Sequence, residues 1–254
     1  MTTYHSTAPA LTGRTALVTG ATRGVGFAIA RKLCACGADV LLDYAEDEAN
    51  AARAVGSLAG LTGRASAVRA DVTVDFDALC DEVGQRFGHL DIFVHNTSYF
   101  RPAPTLATTP EQVDRSLAVA LRPLLTGASR LAGLMAGRPG RIVAVSSTGA
   151  HRVVPRYAGA GVAKAALESL VRYLAVELAG RGIAVNAVAA AKVDKGDGTV
   201  PAEVAEAITA RTPGGRLTRP EDVADAVSLL CTDEAGWLQG QVVTVDGGLG
   251  LVAG

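Results

Sequence analysis

The stretch "VVPRYAGAGVAKAALESLVRYLAVEL", Val153 to Leu178, carries one lysine near its start, with a tyrosine seven residues before it and an alanine four before it. The run reads as one amphipathic helix over 157–180. Each helical residue turns ~100°, so a spacing of seven leaves two side chains ~20° apart and a spacing of four ~40° apart. Tyr157 and Ala160 both share a face with Lys164, and of these two only Tyr157 has a proton to give. Its hydroxyl lies ~5 Å, one turn, further out than one at 160 would.

A second stretch, "TGATRGVG" (19–26), follows an apolar run and opens a helical pattern. Gly20 permits a tight turn, Gly24 lets backbone approach a pyrophosphate, and Gly26 lets helix and strand pack closely. Phosphates would rest on backbone N–H groups at the positive end of the helix. A bare βα turn is the plainer alternative. The position in the first βα unit of a long alternating pattern favours dinucleotide binding.

These residues need a scaffold, and the pattern supplies one. Apolar β-branched runs at 15–19, 39–44, 65–70, 91–95, 141–147, 183–188 and 242–246 alternate with helical periods at 25–36, 47–60, 75–87, 110–136, 157–180, 202–211 and 220–231. Strands apolar throughout and separated by helices predict a mostly parallel seven-stranded sheet covered on both faces. The expectation is an α/β, doubly wound single domain over 1–254, with 1–10 a flexible N-terminal tail.

A net charge of −1 gives no electrostatic grip on nucleic acid or a membrane surface,. Cys34, Cys36, Cys80 and Cys231 form no CxxC pair and no metal-spaced cluster, which reads as free thiols and no metal site,. The first ten residues lack the basic and apolar regions of a signal peptide, and no uncharged apolar run is long enough to span a bilayer. A cytoplasmic protein is expected.

The glycine loop, Asp71-Val72, Asn96, Ser147, Lys164 and "VDGG" (245–248), in this order, resemble the short-chain dehydrogenase/reductase family over roughly residues 11–250. The resemblance implies a Rossmann domain, a nicotinamide cofactor and a homodimer or homotetramer. It implies that Gly20, Arg23, Gly24, Val25, Gly26, Tyr44, Asp71, Val72, Asn96 and Lys164 bind the cofactor. Helix N-capping is the plainer role for Asp71. Ser147 would hydrogen-bond the substrate oxygen, and Lys164 would bind the nicotinamide ribose and lower the pKa of a tyrosine acid. The family places that tyrosine where Ala160 stands. The Tyr-x6-Lys spacing is instead similar to bacterial NADPH-dependent enoyl-acyl-carrier-protein reductases, making Tyr157, Lys164 and Ser147 the catalytic set. The outward hydroxyl suits conjugate reduction, in which charge develops on an oxygen distant from the hydride-accepting carbon.

The acid that would select NAD(H) aligns with Tyr44 and is missing. Arg23 favours a 2′-phosphate, while "EDE" (46–48) repels one, so NADP(H) is slightly favoured over NAD(H),. His95, Ser98, Tyr99 and Arg101 are candidate substrate contacts, with a satisfied buried histidine as the alternative for His95. The family pattern breaks further at Ala120, where an asparagine anchors a water relay, at Ala190-Ala191, where Pro-Gly is usual, at Lys195, where a hydroxyl meets the cofactor phosphate, and in "HNTS" (95–98). The segment 191–215 reads as a modest, mobile lid over an open site. The leading expectation is an NAD(P)H-dependent reductase of an enoyl thioester or conjugated carbonyl, small or carrier-bound, in fatty-acid or polyketide-type metabolism. The alternatives are a ketone or ketoacyl reductase, a non-redox cyclase, isomerase or dehydratase in the same cleft, and a binding subunit without activity.

Overall fold

The computed structural model describes residues 11–252 except 197 and 199; the expected N-terminal tail lies outside the described residues. The strands are β1 (Thr15–Val18), β2 (Asp39–Tyr44), β3 (Ala65–Arg69), β4 (Ile92–His95), β5 (Gly140–Ser147), β6 (Ile183–Ala190) and β7 (Val242–Val245). They form one sheet in the order β3-β2-β1-β4-β5-β6-β7. All six pairings are parallel, so the expected doubly wound domain is what forms.

Alternate strand residues face opposite sides. Ala16, Val18, Val40, Leu42, Ile92 and Val94 meet α1 (Gly24–Ala35), α2 (Glu48–Ser57) and α8 (Pro220–Leu230). Leu17, Leu41, Phe93, Ile142 and Val185 meet α3 (Phe76–Phe87), α4 (Pro110–Leu125), α5 (Ala128–Leu134) and α6 (Ala158–Ala179). Phe93 is fully buried and stands edge-on to Phe76 at 5.6 Å; burying a side chain of this size is worth ~2–3 kcal/mol. Helix α7 (Ala202–Arg211) buries none of its residues. No helix among the described residues is long and apolar enough to cross a membrane.

One predicted helix is two. The run 110–136 breaks between α4 and α5 at Thr126-Gly127. Pro123 lies inside α4 and removes a ladder donor there. Gly127 is pressed against the Phe76 ring, where a Cβ would come within 2.1 Å. The sheet order reverses between β1 and β4, and a crevice opens beyond the carboxyl ends of these strands. The glycine loop, Asn96 and Ser147 all sit on this rim.

Candidate active site

The glycine loop is fixed by backbone sterics. Gly20 and Gly24 have φ of +60° and +54°, which side chains disfavour. A Cβ on Gly26 would lie 2.2 Å from the Gly20 carbonyl oxygen and 2.5 Å from Asn96 Nδ2. Helix α1 starts with Arg23 exposed at its N-cap, without a side-chain cap and without an acid in its first turn. Its first N–H groups are left for an anion. Val25 turns inward against the sheet. The stem of Lys195 lies over the loop, its Cδ 3.7 Å from where a Gly24 Cβ would be. The half-buried Thr97 hydroxyl above Gly20 has no partner. Open donors, a near cation and an unpaired hydroxyl fit a dinucleotide's pyrophosphate.

Thr19 joins this loop to the next strand. Its Oγ1 accepts the N–H groups of Asn96 and Thr97 at 3.0 and 3.1 Å. With both lone pairs used, the hydroxyl proton points to His95 Nδ1 at 3.3 Å. The His95 proton is then on Nε2, donated to the Ala120 carbonyl at 3.1 Å,. Asn96 Nδ2 donates to the carbonyls of Thr19 and Gly20. His95 is completely buried, and burial first, then Lys164, pushes its pKa down to about 3. It is a neutral strut, not the substrate contact considered from sequence, because both ring nitrogens are taken. It also occupies the Ala120 carbonyl on the helix turn where the family's asparagine was expected.

The adenosine corner holds an acid that the sequence reading missed. Tyr44, half-buried, ends β2. One residue earlier Asp43 is buried, with Oδ2 accepting the Gly20 N–H at 3.2 Å and Oδ1 unpartnered. Burial raises its pKa to about 7 against that N–H, and Asp71 and Asp75 push with burial. The available signal was an acid inside an otherwise apolar strand, "DVLLDY". Asp71 does not cap α3: its Oδ1 accepts from Thr73 N and Oγ1 at 2.9 and 2.6 Å, and Arg115 lies at 3.2 Å. Thr73 and Arg115 hold its carboxyl below the usual range against burial. Val72 is committed to the core. Asp47 caps α2 through Asn50 N, which accounts for one of the three acids at 46–48.

The catalytic end departs from the helical wheel. Tyr157 is the N-cap of α6, with φ −119° and ψ 10°, so the spacing argument from an unbroken helix does not set its direction. Its carbonyl still accepts Gly161 N at 2.7 Å. The ring packs against Phe100, centroids 5.0 Å apart, and over Gly149, where a Cβ would lie 2.7 Å from it. Ser147, at the end of β5, accepts Gly149 N at 3.1 Å. Burial raises the Tyr157 pKa and the nearby Ser147 hydroxyl draws it partly back, although the two form no hydrogen bond of normal geometry. Lys164 is buried and donates to the Val145 carbonyl at 2.6 Å. Burial pulls its ammonium down to about 8, opposed by Glu168. As an N-cap residue Tyr157 leans toward Phe100 and Gly149, so its ring direction is set by these contacts and not by the helical register it shares with Lys164.

Ala160 lines a cavity of about 10 Å³ with Ser98, Tyr99, Ser116, Ala120, Ala163 and Lys164, room for about one water. Ser98 and Tyr99 thus reach the lysine, while Arg101 is exposed on the rim. Strand β6 runs on through Ala190, where Pro-Gly was expected to end it.

Residues 20–250 match the family model described as Enoyl-(Acyl carrier protein) reductase. The chain is 39% identical over 264 residues to 1-cyclohexenylcarbonyl-CoA reductase of Streptomyces collinus, covering 100% of this chain and 92% of that protein. A short chain dehydrogenase from Burkholderia cenocepacia, solved in complex with NADP, superposes with a TM-score of 0.87 at 33% identity, over 94% of this chain and 99% of that one. A 7α-hydroxysteroid dehydrogenase complexed with NADH and 7-oxo glycochenodeoxycholic acid gives 0.88 at 29%, over 94% and 95%.

Proposed function

The chain belongs to the short-chain dehydrogenase/reductase family, the NAD(P)-dependent oxidoreductases, and from that premise we propose that it reduces the carbon–carbon double bond of a conjugated acyl thioester. The observation that carries the reading is that the phenol beside Ser147 belongs to Tyr157, seven residues before the buried Lys164, with alanine at 160. The Streptomyces relative, named for a conjugated cyclohexenylcarbonyl thioester, supports it.

The reduced nicotinamide supplies a hydride when bound. Gly20, Gly24 and the open N-terminus of α1 receive its pyrophosphate, with Arg23 and Lys195 adding positive charge. Lys164, fixed through Val145, offers its remaining N–H groups to the ribose. Tyr157 and Ser147 would meet the thioester carbonyl oxygen, on which charge develops as the β-carbon takes the hydride. Tyr157 would give its proton to that oxygen, the enol so formed would lose this O–H proton to solvent as solvent protonates the α-carbon, and a solvent proton would restore the phenol. NADP(H) over NAD(H) remains the preference, on Arg23 and Lys195, against the acids Asp43 and Glu46. Leu125, Val162, Tyr173 and Val176, exposed on α4 and α6, support assembly of copies through these helices.

Crotonyl-thioester-dependent oxidation of NADPH or NADH tests the reading; no oxidation of either at saturating substrate sinks it. A ketone reductase is the second reading, favoured by the closeness of Ser147 to Tyr157, which suits an oxygen on the reacting carbon itself. The steroid dehydrogenase's 7-oxo ligand is of that class. A matched ketone and enone at equal concentration separate the two.

A further inference from the structure

Two loops frame Tyr157, and neither contains an acid: the chain has no Asp or Glu from 92 to 110 or from 147 to 167. Each places an exposed arginine next to the ring pair, Arg101 after Phe100 and Arg156 before Tyr157. The loops are tied by Ala103 N donating to the Arg156 carbonyl at 3.3 Å. Pro102, Pro104 and Pro155 restrict the backbone on either side, so the arginine positions are set before a ligand arrives. Arg156 is the one non-glycine among the described residues with positive φ, +63°, a conformation that persists where neighbours enforce it.

Neither Arg101 nor Arg156 has a carboxylate within ion-pair distance among the described residues. Arg152 differs: it donates to the Gly250 carbonyl, beside Asp246. The acids Asp43, Asp71 and Asp75 lie together at the opposite, adenosine end of the cleft. An anionic substrate is repelled at that end and attracted at this one.

We propose that Arg101 and Arg156 form an anion clamp at the mouth of the site that holds the phosphates of coenzyme A, with the thioester arm passing Phe100 to reach Tyr157. The proposal rests on the thioester-reductase reading and adds the carrier and the residues that recognise it. Guanidinium forks match phosphate oxygens in pairs. Two such groups on one rim fit a compact phosphorylated head. Leu106 and Val153, on the same two loops, are almost fully exposed, and Arg152 is taken by the Gly250 carbonyl, so two free guanidiniums beside apolar residues suit a compact phosphorylated head and its pantetheine arm.

Free coenzyme A is titrated calorimetrically into NADPH-saturated protein, as wild type, Arg101→Gln, Arg156→Asn and the double variant. Asparagine tolerates positive φ, and Arg101→Gln lies on an exposed loop, so misfolding does not decide the outcome. The expected result is about tenfold weaker binding for each change and about a hundredfold for both, with wild-type affinity falling as salt rises. In turnover, the preference for crotonyl-coenzyme A over crotonyl-N-acetylcysteamine falls by the same factors. Equal binding by wild type and double variant overturns the clamp, as does a wild type that binds no coenzyme A. A loss confined to crotonyl carrier protein assigns the rim to a protein and overturns the coenzyme A assignment. Retained arginine-dependent binding with no reduction of any thioester keeps the clamp and removes the reductase reading instead.

Discussion

The two halves of the cleft are held by different means. Around β1 and β4 the geometry rests on backbone: positive φ at Gly20 and Gly24, a Gly26 with no room for a Cβ, and amide N–H groups converging on Thr19. Around β5 and α6 it rests on which side chain stands where: a phenol at an N-cap, an alanine beside a small cavity, a lysine tied to a strand carbonyl. The first half accepts few changes because sterics admit few residues. The second places its side chains on a helix start and a strand end, where a residue can change without disturbing the sheet, so chemistry is freer to vary there.

Substitutions can break this contrast. Tyr157→Phe is expected to lower the turnover number by about 10²- to 10⁴-fold with cofactor affinity retained, measured by stopped-flow and by cofactor fluorescence. Unchanged turnover would move the acid elsewhere. Gly26→Ala puts a methyl into the Gly20 carbonyl and is expected to cost about 3 kcal/mol in urea unfolding and to abolish cofactor binding; a normal variant would show the first half to be as adaptable as the second.

Two titrations sharpen it. Lys164 has a folded pKa of about 8 against a model value of 10.5. Between these values the unfolded chain holds the extra proton, so this residue's contribution to stability rises with pH. In the role proposed for Lys164 the ribose-binding ammonium is lost over the same interval, so cofactor affinity is expected to fall above about pH 8. Opposite trends in melting temperature and affinity are expected, and parallel ones refute the assignment. Asp43 goes the other way: its folded pKa of about 7 against 3.8 means that stability is lost as pH rises from 3.8 through 7. Asp43→Asn is expected to gain about 2 kcal/mol at pH 8, read by chemical denaturation. The smallest effect belongs to His95. With its pKa near 3, His95 contributes no step to the pH–rate profile between 5 and 8, and His95→Gln leaves its midpoints where they were.

The parallel seven-stranded sheet and the glycine loop were legible because periodicity and glycine spacing express backbone constraints. The break at Gly127 was not: the cause is a phenylalanine 51 positions away in sequence, Phe76. Tyr157 was found by spacing, but its direction was not, because an N-cap residue leaves the helical register. Asp43 was not legible because the family resemblance puts the selecting acid at position 44, one residue further along β2. His95 was correctly open to the plainer reading, and its partners, Thr19 and Ala120, lie on separate elements that only the fold brings together.

The Thr19 hydroxyl uses both lone pairs and its proton at once, and the proton on the His95 ring is thereby decided two bonds away. Thr19, His95 and the Ala120 carbonyl consequently form one unit. A valine at 19 strands the amides of Asn96 and Thr97 and leaves His95 Nδ1 without its donor, so the ring is then held by the Ala120 carbonyl alone. Because His95 meets the backbone carbonyl of residue 120 and not its side chain, the lock is indifferent to the residue at 120 and is broken from 19 or 95.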